Sequence, residues 1–318
     1  AGNSSTITVD NTKNTVTAIV PIVKKAIADA TITLDKDSYV YTGKDIIPTV
    51  TVTAEGKTLK EGTDYRVNVI NGREAGTGTV VVTTIDENGK GTYKAGTVLK
   101  KEFTIAKANA ENVTVTVTTK TPGASIKYNG TSWDGSKLDY TVSLDGVDVT
   151  SQFKATWGEN IDAGKKAGKL TLTPNTAGSK KFEGTKEFTF EIKGETLNGS
   201  LTVYDENGSK ISTTTGINGA YEYTGSPVTF EKYKFNVTSP NGKKLTEGKD
   251  YEIVYVDNTS SGTAYMCVVG KGNYVGTQKD KISEETGKTI SNIVTSLAFT
   301  ITGSTFTAKN VTVKNGVY

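Results

Sequence analysis

The chain repeats itself, and that constrains its fold more than any other feature. Tyr39-Val40-Tyr41-Thr42-Gly43 returns as Tyr221-Glu222-Tyr223-Thr224-Gly225, and Leu59-Lys60-Glu61-Gly62-Thr63-Asp64-Tyr65 returns as Leu245-Thr246-Glu247-Gly248-Lys249-Asp250-Tyr251. Each second motif runs into an alternating stretch, Tyr65, Val67 and Val69 in one copy and Tyr251, Ile253 and Tyr255 in the other. Gly76-Thr77-Gly78-Thr79 then matches Gly262-Thr263-Ala264-Tyr265, and Gly91-Thr92-Tyr93-Lys94 matches Gly272-Asn273-Tyr274-Val275. Both copies close on Phe-Thr-Ile, at Phe103 and at Phe299. A degenerate third copy lies between them. It is anchored by Tyr128-Asn129-Gly130, by Phe153, Ala155 and Trp157 in the places of Tyr65, Val67 and Val69, by Phe182-Glu183-Gly184-Thr185, and by a closing Phe188 to Ile192. Ordered self-similarity of this kind marks a structural unit used more than once.

Within each copy the pattern is short, period-2 runs separated by Gly, Asn and Asp turns such as Asp86-Glu87-Asn88-Gly89, Asp145-Gly146, Asn207-Gly208 and Asn241-Gly242. Alternation places successive side chains on opposite faces of a strand, and such dipeptides suit tight hairpins. Composition agrees, with 54 Thr against 11 Leu, because Thr favours a pleated surface and Leu a helix. The expected fold is all-β: three tandem Ig-like antiparallel β-sandwich domains in an elongated arrangement. The boundaries are an N-terminal hairpin or partial unit with linker at 1–30, a first unit at 31–106, a degenerate second at 107–193, a third at 194–302 with an insertion at 277–298, and a C-terminal strand or partial unit at 303–318. Linkers such as Ala106-Lys107-Ala108 are short, which favours a stiff rod. Two helical pieces are expected: Pro21 to Ala30, with Pro at the first position, and a turn capped by Ser283.

The series Tyr-Thr-Gly, Leu-x-Glu-Gly-x-Asp-Tyr, Gly-Asn-Tyr-x-Gly-Thr and Phe-x-Ile resembles the bacterial immunoglobulin-like repeats found in tandem in large surface and wall-associated proteins of Gram-positive bacteria. The resemblance covers 31–105 and 221–301 well and the middle copy weakly. It implies an extracellular chain, on the cell surface or wall of a Gram-positive bacterium, acting as stalk, spacer or adhesive module. It carries no catalytic residues.

The chemistry points the same way. With no His, the chain lacks the commonest general base and zinc ligand, and any Ser-His-Asp or Cys-His triad. Glu61 with Asp64 and Glu247 with Asp250 pair carboxylates as a glycosidase would, but repetition of Glu-Gly-x-Asp in two copies favours a turn with Asp accepting backbone amides. The expectation is therefore a non-enzymatic protein without a cofactor or metal; the Asp86 and Asp205 turns lack the spaced ligands and distal Glu of an EF-hand. A net charge of +3 is spread without a single-sign block, and only two of 37 basic residues are Arg, which argues against nucleic-acid binding. No stretch is apolar enough for a membrane span. The single cysteine, Cys267, sits in an apolar run and reads as core. Lys–Asn or Lys–Asp isopeptide crosslinks stay open. The polar start at Ala1 suits an exported chain whose leader has been removed.

The rival to a stalk is a carbohydrate-binding accessory module. Its site would use Trp133 with Tyr128 and Tyr140 in the middle copy, taking a host or wall glycan. Trp157 aligns with inward Val69 and Tyr255 and reads as core; Trp133 falls opposite Ile46 and Ile47, which also favours packing. The protein is expected to be a monomer.

Overall fold

A computed structural model describes residues 4–10, 12, 15–21, 23–27, 29–198, 201–213 and 216–304. The described chain is all-β, with no helix of seven or more residues. Strands Ser4–Asp10 and Thr15–Pro21 pair as the expected antiparallel hairpin.

The first and last copies share one strand order. In the first, Ser38–Val40 pairs with Val98–Ala106, then Gly76–Thr84, then Tyr65–Ile70 at the edge. In the last, Ala220–Glu222, Ile293–Thr302, Gly262–Gly270 and Tyr251–Val256 repeat that series. A second, three-stranded sheet accompanies each: Ala30–Leu34, Val50–Ala54 and Lys57–Thr58 in the first, and Lys210–Ile211, Leu201–Tyr204 and Lys234–Val237 in the last. The middle copy forms sheets of Thr114–Thr119, Leu138–Leu144 and Val147–Asp148, and of Phe153–Trp157, Gly164–Pro174 and Lys186–Ile192.

The expectation of purely antiparallel sheets needs one correction. Ser38–Val40 runs parallel to the closing strand, as does Ala220–Glu222 in the last copy. Alternation assigns faces and says nothing of direction. Here a bend at 35–37 carries the chain between sheets without the tight hairpin that enforces antiparallel pairing. The amide that follows this strand is bonded alike in all three copies: Tyr41 to Ala106 O at 2.9 Å, Tyr128 to Lys193 O at 2.7 Å and Tyr223 to Thr302 O at 2.9 Å. The chain then turns at Gly43, Gly130 and Gly225, whose φ values of 75°, 75° and 90° explain why each is glycine.

Another recurring device is an aromatic ring laid over a residue with little or no side chain. Gly78 pairs with Phe103 across the sheet, and a Cβ on Gly78 would stand 2.3 Å from the ring. Gly168 meets Phe190 at the same 2.3 Å. In the last copy Ala264 pairs with Phe299, so there the ring accommodates a methyl group.

The described chain divides into two compact units. One comprises 1–118, 140–156 and 170–188, and the other 119–139, 157–169 and 189–318. In the first, Val52, Val80, Val82, Phe103 and Ile105 form a buried inner face. In the second, Val203, Phe230, Met266, Leu297 and Phe299 form one core cluster, and Val237, Leu245, Tyr251, Val268 and Tyr274 another.

Both helix expectations are corrected. Residues 23–27 carry no helix, and Pro21 ends a strand. Ser283 does cap a turn, its Oγ accepting from the Thr286 amide at 3.1 Å, but the turn joins strands Lys281–Ile282 and Thr289–Ile290 into a hairpin. The insertion is also shorter than 277–298, because 293–298 belong to the closing strand Ile293–Thr302. Its hairpin covers the outer face of the sheet, where Cys267, Val269 and Ile293 pack with Tyr265 and Ile290 as a separate cluster. The Lys281 ammonium lies 3.5 Å from the Tyr265 ring centre.

Candidate functional site

The repeated carboxylates are structural. Asp64 is 7 % exposed and accepts from the amides of Lys60 and Thr92, each at 2.8 Å. Burial works to raise its pKa, yet those amides hold it below the usual carboxylate range. Asp250 is equally buried and accepts from the Thr246 amide at 2.9 Å. Both aspartates thus anchor backbone amides, Asp64 at two of them and Asp250 at one. The acidic turns are similar: Asp205 Oδ1 takes the amides of Asn207 and Ser209, and Asp86 Oδ1 takes the Gly91 amide and the Lys24 ammonium.

Trp133 is 8 % exposed. Its indole N–H donates to Lys127 O at 2.8 Å, and its carbonyl accepts from Asn160 Nδ2 at 2.9 Å. A ring so enclosed presents no open face for stacking. Trp157 is only half-buried and stands edge-on to Phe190, 6.2 Å between centres. Tyr128 shares the second compact unit with both tryptophans and meets Tyr274 edge-on at 5.6 Å. Tyr140 is half-buried and belongs to the other unit. Trp133 and Tyr128 thus belong to one unit and Tyr140 to the other.

One concavity lined by aromatic rings is not announced by the sequence. It encloses about 370 Å³ in the last copy, with Tyr221, Phe230 and Tyr233 on its floor and Glu206, Glu231 and Lys232 around them. The backbone explains its position. Ile46, Trp133 and Val228 are equivalent, since each donates its amide to the loop after the next sheet's edge strand, to Gly72, Asn160 and Asn258. From there the last copy spends nine residues reaching Val237, where the first spends six reaching Val52. The additional residues build the turn Phe230-Glu231-Lys232-Tyr233, closed by the Tyr233 amide donating to Phe230 O at 3.0 Å.

Phe230 is the hub. Its ring lies 4.8 Å from Tyr233, 5.1 Å from Tyr221 and 4.9 Å from Phe299, and its amide donates to the Tyr255 hydroxyl at 2.7 Å. Aromatic contacts of this kind are worth about 0.5–1.5 kcal/mol each beyond burial. Burial, and then the hydrogen bond with the Tyr221 hydroxyl, raise the Tyr233 pKa, so this phenol stays neutral. Lys232 pairs with Glu206 at 3.5 Å on the exposed rim. Phe230 is itself buried, so the half-buried rings of Tyr221 and Tyr233 supply the apolar surface, beside the Glu206 and Glu231 carboxylates and the Lys232 ammonium. Those groups match the alternating CH and OH faces of a sugar ring.

The counterpart in the first copy is plainer. Asp45, Ile46, Ile47, Glu61, Val67 and Val69 line a shallow concavity of about 310 Å³, with Ile47 exposed at its rim. The middle copy fills the equivalent position with Trp133. The chain matches no protein-family model and no curated protein.

Proposed function

We propose that the chain is a non-enzymatic segment of an exported surface protein, built of three tandem Ig-like modules and serving as stalk or adhesin on a Gram-positive cell. The observation that carries this reading is recurrence: one strand order in the first and last copies, and one backbone bond, at Tyr41, Tyr128 and Tyr223, in all three. Short linkers between modules favour a stiff, extended array over tethered beads. The use of Asp64 and Asp250 as acceptors of backbone amides supports a structural part for the repeated motif. Small-angle scattering tests the stalk directly: a rod-like distance distribution is expected, and a compact globule overturns it.

The concavity at Phe230 favours a second reading, a glycan-binding accessory module using the last copy in place of Trp133, Tyr128 and Tyr140. Its test is a glycan array probed with the chain and with Tyr233→Ala. Binding lost in Tyr233→Ala and kept in Trp133→Phe supports it, and binding indifferent to Tyr233 removes it.

A further inference from the structure

The edge strand of the first copy is open over a short, defined length. Ile85 donates its amide to Asp64 O, so by antiparallel alternation Arg66, Asn68 and Ile70 exchange bonds with strand Gly76–Thr84. Val67 and Val69 therefore turn their N–H and C=O groups outward. The chain closes the edge on either side of them: the Gly62 amide donates to Tyr65 O at 2.8 Å, and the Ile46 amide to Gly72 O at 2.9 Å. Among the described residues, nothing bonds the backbone groups of Val67 and Val69 on that outer side.

Apolar surface lies beside these groups, all within the first compact unit. Val67 and Val69 are half-buried and, with Ile46, Ile47 and Gly72, line the concavity of about 310 Å³. Ile47 is 75 % exposed. The other two copies close the corresponding place with a ring of their own. Trp133, whose amide bond matches that of Ile46, is 8 % exposed, and Phe230, two residues beyond Val228, is 7 % exposed. The first copy has the socket without the ring.

The rim carries charge of one sign. Glu61 stands at the Tyr65 end and Asp45 next to Ile46 at the Gly72 end; both are exposed, and the lining contains no basic residue. Neighbouring cations are engaged elsewhere, Arg66 with Glu87 at 3.2 Å and Lys44 with Asp145 O at 3.1 Å, while Arg73 comes only within 3.9 Å of Asp45.

From these observations we propose that this edge is a docking surface for an extended segment of a partner protein, which adds to the four-stranded sheet as its fifth strand. Backbone bonds to Val67 and Val69 hold the segment, and the period of a strand sends its alternate side chains into the concavity. The ring that the other copies supply from within comes here from the partner. The segment therefore carries a large apolar side chain at its centre and Lys or Arg where it passes Glu61 and Asp45. Natural sheets guard such edges with Lys, Pro or a covering loop, and Val67 and Val69 provide none of these. The surface belongs to the first copy alone and stands whether the chain serves as stalk or as glycan binder.

The probe is a synthetic peptide, Lys-Thr-Trp-Thr-Val-Thr-Lys, whose alternate residues present Lys, Trp, Val and Lys to one side. It is added to the full chain, and amide hydrogen exchange is read residue by residue by NMR. Exchange at Val67 and Val69 is expected to be fast in the chain alone and to slow about tenfold or more in the saturated complex. Ile253, in the copy that has Phe230 in place, is expected to be unchanged. Glu61→Lys is expected to weaken binding about tenfold, and Ile47→Lys to abolish the protection. Both residues are exposed, and the protection of Val80 and Val82 checks that the variants stay folded. No slowing at millimolar peptide overturns the proposal, and so does equal slowing at Ile253 or by Glu-Thr-Trp-Thr-Val-Thr-Glu. Slow exchange at Val67 and Val69 in the chain alone overturns it as well: if it grows with concentration, a second copy occupies the edge, and if it is independent of concentration, the chain covers its own edge.

Discussion

Strands Gly76–Thr84 and Gly262–Gly270 are equivalent and equally long, and they pair with the closing strand in the same register as far as Val268, yet they are buried differently. In the first, Gly78, Val80, Val82 and Thr84 are buried and the residues between them half-exposed. In the last, Ala264 and every residue from Met266 to Gly270 are buried. The inner face is the same in both. The outer face differs because the last copy folds its extra hairpin over it, turning a solvated surface into a small second core around Cys267. One parity of a strand is thus enough to specify the sheet, and the other is free to change once something covers it.

The largest effect should come from the shared inner face. Met266→Ala removes a fully buried side chain from the cluster containing Phe230 and Phe299, and a loss of about 2–5 kcal/mol is expected. Urea unfolding followed by reaction of the Cys267 thiol reads it, since burial pushes that pKa up to about 11 and the thiol reacts only when the copy opens. The outer face is the sharper test. Cys267→Thr buries a hydroxyl at about 1–3 kcal/mol, whereas Val81→Thr, half-exposed in the first copy, should cost under about 0.5 kcal/mol. Equal costs for the two, by hydrogen exchange of the matching strands, would break the comparison.

Gly78→Ala probes an inner position where the copies differ by a single methyl group, Gly78 against Ala264. The Phe103 ring, itself buried, must shift to admit a methyl group at 2.3 Å, and about 1–3 kcal/mol is expected, measured by the protection of strand Val98–Ala106. Asp64→Asn should cost about 1 kcal/mol near neutrality for a net hydrogen bond. Because the folded pKa of Asp64 is depressed, its contribution is complete above the unfolded carboxylate value of about 3.9 and disappears as pH falls through the folded value. The difference between Asp64→Asn and the parent should therefore shrink in urea titrations run down to pH 3. A difference constant across that range would remove the carboxylate as its cause.

What could be read from residues alone follows from these contrasts. Tyr41, Gly43, Asp64 and Phe103 were legible because backbone needs fix them: a positive φ, a saturated turn, a ring over glycine. Each need recurs, so each residue type recurs. Strand direction was not legible, since Ser38–Val40 alternates identically whichever way its neighbour runs. The helix expected after Pro21 is absent: Pro21 ends a strand, and 23–27 carry neither helix nor strand. The Ser283 cap was real but served a hairpin. The concavity at Phe230 escaped notice because its turn has no counterpart in the first copy, so comparison of copies offered nothing to align. Its signal was present in Phe230 and Tyr233, three residues apart in a loop that should be polar. Trp133 drew attention as a rare residue, and its burial shows that rarity and exposure are separate properties.

The parallel strand has a mechanical consequence. Tyr39 and Val40 lie beside Ile105 and Ala106, and Tyr41 adds its bond to Ala106, so an early strand of the copy and its closing strand run side by side in one direction. Pulled from its two ends, such a pair is sheared along its length, and its bonds carry the load together. A hairpin pulled at its open end instead peels one bond at a time. The last copy has the same arrangement between Ala220–Glu222 and Ile293–Thr302. A cell tethered through this chain would hang from those short parallel patches, and their rupture would set the tension at which the tether lengthens.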